Sequence, residues 1–134
     1  MFLINTKIDT SNIHGLGLFT TQDLEPGQVV AAWNEQFDRV FDHDVFDSFP
    51  EVVQHYIMNH GALASDGRYK LGMDGDQYIN HSNKPNLRKV DNMLIAIDKI
   101  HGSTELTCDY QQVNATGDVS CASDHTSIQS LYED

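Results

Sequence analysis

The sequence predicts a small α+β domain, mostly β. Three observations carry that reading: many short runs with strand character, one clearly periodic helix, and no alternation of strands with helices. Without that alternation there are no helical crossovers from which to build a doubly wound parallel sheet. At 134 residues and 15.1 kDa the chain is one domain in length. A chain of that size buries roughly two-thirds of its unfolded surface and needs no disulfides to hold it.

The elements follow in order. Residues 2–8 alternate and are rich in branched side chains, which predicts a strand. Ile13-His14-Gly15-Leu16-Gly17-Leu18-Phe19 is a glycine turn leading into an apolar stretch, and Glu25-Pro26-Gly27-Gln28 is a turn before a strand over 28–33. Residues 37–49 mix aromatics with Asp and read as irregular. Ser48 and Glu51 have capping-box spacing, with Pro50 in the first turn. Phe49, Val52, Val53, Tyr56 and Ile57 then recur at helical spacing, which predicts one apolar face to bury, and Gly61 is the stop. Short strands are expected over 68–71 and 93–97, with a turn over 74–76. His101-Gly102 reads as a tight turn that pairs 93–97 with 104–108 as a hairpin. From Gln111 the chain is rich in Ser, Thr, Asp and Gln, and reads as loop or as a last helix through Ile128, Leu131 and Tyr132.

The formal charge is −12, from 20 acidic and 8 basic side chains. Nonspecific binding to nucleic acid rests on neutralising phosphates with Lys and Arg, so no direct nucleic-acid binding is expected. A basic partner, a Lys-rich protein or peptide, suits this charge better. After Lys99 there is no Lys or Arg, and Glu105, Asp109, Asp118, Asp124, Glu133 and Asp134 carry six of the twelve net charges. No apolar run approaches the roughly 18 residues of a membrane span. The first residues lack the basic region of a secretory signal. Cys108 and Cys121 read as reduced thiols, which points to a cytoplasmic or nuclear-type reducing compartment rather than secretion. The seven histidines have no paired ligand spacing, and Asp74-Gly75-Asp76 lacks the spaced acids of a calcium loop, so no metal is expected.

Two segments hold unusual chemistry. Gly15-Leu16-Gly17 lacks the third glycine of a dinucleotide fingerprint, although such a turn can present backbone N–H groups to a carboxylate. In Tyr78-Ile79-Asn80-His81-Ser82-Asn83-Lys84-Pro85-Asn86, short polar residues follow an apolar pair and precede a proline turn. Asn80 offers an amide donor and acceptor and His81 two ring nitrogens; an Asx-turn at a strand end uses the same residues.

This second segment resembles the N-H-S-x-x-P-N signature of SET-domain protein lysine methyltransferases. Two further segments agree in order. Gly15-Leu16-Gly17-Leu18-Phe19 with Leu24-Glu25-Pro26-Gly27-Gln28-Val29-Val30 is similar to the family's opening motifs. Ala96 to Ile100, followed by Glu105-Leu106-Thr107-Cys108-Asp109-Tyr110, is similar to its closing ones. The resemblance covers roughly residues 1–110 and implies a SET domain over 1–112, with 113–134 a C-terminal segment that is flexible or a short helix covering the substrate channel.

The resemblance implies a fold of several small sheets and few short helices, with a knot-like threaded closing segment. It implies methyl transfer from S-adenosylmethionine to a lysine amine of a basic protein such as a histone, leaving S-adenosylhomocysteine. Tyr110 would be the catalytic tyrosine. The backbone of Leu16, Gly17 and Leu18 and the side chain of Asn80 would hold the amino-acid end of the cofactor, and the backbone of His81 the adenine. Glu105 and Asp109 would be structural, bonding backbone. Cys108 stands where the family carries Phe or Tyr. With Tyr78 and Tyr69 it would line the substrate channel and leave room for a di- or trimethylated amine. The family's cysteine-rich zinc segment is absent, since only Cys121 follows Tyr110. A catalytically silent domain that binds basic peptides, and a cofactor-free acidic interaction protein, are the alternatives.

Overall fold

The computed structural model describes residues 1–111. The expectations placed on 113–134, Ile128, Leu131, Tyr132 and Cys121 among them, lie outside the described residues. Ten short strands are described: β1 (Thr6–Thr10), β2 (Leu16–Thr20), β3 (Val29–Ala32), β4 (Arg39–Phe41), β5 (Ala62–Leu63), β6 (Tyr69–Leu71), β7 (Asn80–His81), β8 (Leu87–Val90), β9 (Met93–Ala96) and β10 (Thr107–Cys108). Two helices, α1 (His43–Ser48) and α2 (Glu51–His60), fall between β4 and β5. The strands form four small sheets: β1–β2, β3–β9–β8, β4–β6–β5 and a parallel pair, β7–β10. The mostly β, α+β class is as the sequence predicts. No helix among the described residues is long and apolar enough to cross a membrane.

The core is the shared interior of these sheets. Along β9 the burial alternates, with Leu94 and Ala96 inward, as a strand with one buried face requires. Leu18, Leu24, Val30, Ile79, Leu87 and Leu106 join them from other parts of the chain, none more than 1% exposed.

Several sequence expectations are corrected. The expected strand over 2–8 is split. Residues 1–3 serve β3, where Leu3 N donates to Val30 O and Phe2 bridges Ala31, and only from Thr6 does the chain turn to pair with β2. The stretch 37–49 is not irregular. It holds β4 and α1, ordered by ring contacts that local pattern cannot show: Phe46 stacks on Tyr69 at 4.6 Å and Phe41 meets Phe49 edge-on at 5.8 Å. The capping box does not form. Ser48 ends α1 and its hydroxyl donates to Val45 O, while Pro50 takes the N-cap of α2. The apolar face of α2 is mostly outside: Ile57 is buried, but Val52 is 75% exposed and Tyr56 51%. Gly61 ends the helix for want of space rather than for a left-handed turn, because a Cβ there would lie 2.6 Å from Lys70 O.

The hairpin expected between 93–97 and 104–108 is also absent. β9 pairs instead with β3 and β8, and β10 pairs with β7. The hairpin that forms is β8–β9, closed by Asp91 and Asn92 with Asp91 at φ +54°, the positive φ that a two-residue hairpin turn favours. After the His101–Gly102 turn the chain does not fold back on β9. Ile100 pairs with Leu24, Glu105 bridges Phe19, and Leu106 N donates to Leu18 O. The closing segment thus runs past β2 before it reaches β7.

Candidate functional site

The site is built where β7 and β10 lie side by side, with Asn80 opposite Thr107 and His81 opposite Cys108. Ile79, buried just before β7, anchors the strand in the core. Asn80, 8% exposed, turns its carboxamide toward the glycine turn. Its Nδ2 lies 3.1 Å from Ser11 Oγ, 3.0 Å from His14 O, 3.1 Å from Leu16 O and 2.9 Å from Glu105 Oε2. Two amide hydrogens are shared among these acceptors, so one side chain ties the turn at 11–16 to the closing segment.

Glu105 is the second centre of this cluster. Its carboxylate accepts from Ser11 Oγ at 2.8 Å as well as from Asn80. It lies directly against Gly17, where a Cβ would fall 2.5 Å from Oε2. The requirement for glycine at 17 therefore comes from within the chain, to admit this carboxylate. Glu105 bonds side chains here, not the backbone that the resemblance implied. Asn86 secures the same segment: its Nδ2 donates to Glu105 O at 2.8 Å, and its Oδ1 accepts from Thr107 N at 2.8 Å.

His81 and Tyr110 form the other half. Tyr110 N donates to His81 Nδ1 at 3.1 Å, and His81 Nε2 faces Asn83 Oδ1 at 3.0 Å. An Nδ1 that accepts leaves the proton on Nε2 to donate, so the two bonds fix the tautomer. The rings of His81 and Tyr110 are 5.3 Å apart. The Tyr110 hydroxyl, on a side chain only 5% exposed, donates to Ile79 O. With its proton used there, the phenolic oxygen presents only lone pairs to anything else that approaches.

Asn80, His81, Cys108 and Tyr110 are therefore brought together, and Tyr78 precedes them in a 3₁₀ turn, half-buried against the core. Cys108 is wholly buried in the core. Leu16 is exposed, whereas Gly17 and Leu18 are buried, with Leu18 a core side chain. Tyr69 belongs to another sheet, and the ring it meets is Phe46. Sequence reasoning gave no role to Ser11 or Asn86. Asn86 closes the N-H-S-x-x-P-N segment, so its signal was present; Ser11 sits in a polar turn with no signal of its own. No group of His, Cys, Asp or Glu among the described residues could hold a metal ion.

Comparison with known proteins bears on the fold. The SET domain family model matches residues 15–111. No curated protein matches the sequence. Among solved structures, a putative histone methyltransferase of Plasmodium falciparum is similar at TM-score 0.59 and 16% identity, covering 82% of this chain and 96% of that one. A humanized mutant of the Chaetomium thermophilum Polycomb Repressive Complex 2 is similar at TM-score 0.59 and 21% identity, covering 81% of this chain. An active Polycomb Repressive Complex 2 in the basal state gives TM-score 0.58 and 18% identity over 88% of this chain. The match spans only 15% and 17% of those two polycomb chains. At these identities the likeness is one of fold, and the family model covers most of the chain. The chain belongs to the SET-domain family, whose members are generally S-adenosylmethionine-dependent lysine methyltransferases.

Proposed function

We propose that this chain is a protein lysine methyltransferase that uses S-adenosylmethionine and acts on a Lys-rich protein or peptide, histones among the candidates. The observation that carries the reading is Tyr110: a buried phenol whose proton is committed to the Ile79 carbonyl, in direct contact with the His81 of the N-H-S segment.

The residues fit the cofactor. The turn at Gly15 is open, with nothing within 4 Å of where a Cβ would stand, and the adjoining Leu16 is exposed. Beside this backbone lies the Asn80 carboxamide, locked in place by its Nδ2 contacts. Leu16, Gly17 and Leu18, with Asn80, would hold the amino-acid end, and His81 the adenine. When bound, S-adenosylmethionine supplies a methyl group on a sulfonium sulfur and leaves as S-adenosylhomocysteine.

The chain's own work is to position and dry the amine. A free lysine has a pKa of about 10.4, so about one in a few thousand is neutral at pH 7. Apolar surroundings such as Cys108 and Tyr78 lower that value by disfavouring the charged form. The Tyr110 oxygen, offering lone pairs, accepts an N–H of the amine and aims its nitrogen lone pair. That role is orientation, not general-base catalysis, because the oxygen already carries its own proton. Bringing the reacting atoms to about 3–3.5 Å in line supplies much of the rate. The acidic surface draws in a basic peptide and is screened by salt.

The test is incubation with methyl-labelled S-adenosylmethionine and a panel of basic proteins, with cofactor binding measured by calorimetry. Binding with label transferred to lysine supports the reading. Binding without transfer to any protein would favour the silent peptide-binding domain, and no binding the cofactor-free interaction protein.

A further inference from the structure

Half of the basic side chains of this acidic chain gather around its one tryptophan, away from the site above. An apolar cavity of about 70 Å³ is lined by Phe2, Ala31, Ala32, Trp33, Met93 and Leu94 among others, with Lys70 and Lys89 also in its wall. A polar groove of about 470 Å³ shares Trp33, Lys70 and Asn92 with it and adds Arg39 and Arg68. Arg39, Arg68, Lys70 and Lys89 are thus four of the chain's 8 Lys and Arg. Lys70 Nζ stands 5.2 Å from the centre of the Trp33 ring. Arg68 is engaged with Asp66 and Asp42, whereas Arg39 is exposed on the β4 strand and has no ion pair among the described residues. Of the groove's two acids, Asp38 is buried and taken up by the Met1 amine and the Asn34 and Met73 N–H groups, which leaves the exposed Glu35 as the one negative charge facing Arg39 and Lys70.

The cavity adds shape to the charge. Its volume is about half of the roughly 150 Å³ that admits a benzene ring, which suits a branched aliphatic side chain rather than an aromatic one. We propose that the Trp33 cavity and its basic groove bind an acidic peptide segment, which inserts one aliphatic side chain beside Trp33 and lays its carboxylates along Arg39 and Lys70. This partner is opposite in charge to the proposed methylation substrate, so the chain would hold two peptides of opposite sign on separate surfaces.

As the only tryptophan, Trp33 is its own reporter. The whole chain, without cofactor, is titrated with the blocked peptide Glu-Glu-Leu-Glu-Glu while Trp33 emission is followed. Parallel titrations use Glu-Glu-Ser-Glu-Glu, Lys-Lys-Leu-Lys-Lys and a single-stranded oligonucleotide. The expected result is a saturable change with the Glu/Leu peptide, at least tenfold weaker binding with Ser in place of Leu, and no saturation with the Lys peptide. Arg39→Glu, at an exposed position, should weaken binding at least fivefold at an unchanged melting temperature, and Lys70→Gln, read by calorimetry, should do the same. No saturable change with the Glu/Leu peptide, indifference to Arg39→Glu, or saturation by the oligonucleotide instead would overturn the proposal. None of these readouts involves methyl transfer, so the proposed activity stands or falls separately.

Discussion

The molecule holds two polar clusters that treat carboxylates in opposite ways. In the first, Glu105 is met by donors: the Ser11 hydroxyl at 2.8 Å and the Asn80 amide at 2.9 Å. In the second, Asp38, Asp74 and Asp76 crowd near the Met1 amine, 3.1 Å from Asp38 and 3.7 Å from Asp74. One oxygen each of Asp74 and Asp76 is left buried with no hydrogen bond. Burial pushes the Asp76 carboxyl up to about 7; the N-terminal ammonium opposes the shift, and Asp38 and Asp74 add to it. Donors separate Glu105 from Asp76, whereas Asp38 has its own in the Met1 amine and the Asn34 and Met73 N–H groups. A buried carboxylate given donors becomes a structural clamp, and one buried with an oxygen left unbonded holds its proton toward neutral pH. The clamp supports the candidate site; of the acid cluster, Asp76 stands in the wall of the Trp33 cavity.

Breaking the clamp should have the largest effect. Glu105→Ala leaves the Ser11 hydroxyl without its acceptor and takes one of four from the Asn80 amide, and an unsatisfied buried group costs about 1–3 kcal/mol. A loss of about 1–3 kcal/mol is expected in denaturant unfolding. A loss under about 1 kcal/mol would mean that water replaces the carboxylate and the clamp is ornamental.

The acid cluster should answer to pH instead. Asp76 rises from 3.8 to about 7 on folding, so the folded state binds its proton more tightly. Its contribution to stability is full below pH 3.8, declines as pH rises, and is lost above about 7. Asp76→Asn should therefore flatten part of the fall in melting temperature across that interval and be relatively more stable at its upper end. Identical pH profiles for the two proteins would show that Asp76 does not titrate there.

The smallest effect belongs to the turn that delivers Glu105. Ser103 adopts φ +70°, a left-handed conformation that costs a residue with a Cβ about 1 kcal/mol. Ser103→Gly should raise stability by about 0.5–1 kcal/mol with no change in cofactor binding. Destabilisation would imply that the Ser103 side chain makes a contact that outweighs the strain.

The two clusters also differ in how far the sequence reveals them. Asn80, His81, Glu105 and Tyr110 stood in ordered motifs, because a clamp between distant segments needs particular side chains at fixed positions. The acid cluster assembles from positions 1, 38, 74 and 76; Asp74-Gly75-Asp76 reads locally only as a turn, and nothing in the sequence brings Met1 and Asp38 to it. The same distinction explains the misread elements. The β8–β9 hairpin has a local signal in Asp91-Asn92. By contrast, the parallel pairing of β10 with β7 and the ring contacts that order α1 are tertiary, and no local pattern encodes them. The apolar spacing of α2 correctly marked a helix but not its burial, since periodicity does not say what an apolar face meets.

The most direct test of the central claim is Tyr110→Phe, assayed with methyl-labelled S-adenosylmethionine and the best basic substrate from the panel. The ring stays to fill its place in the core, and only the hydroxyl bonded to Ile79 O is removed. The account predicts that transfer falls at least a hundredfold while cofactor affinity stays within about threefold. Full transfer by the mutant would contradict it, because the amine would then be oriented by some other group.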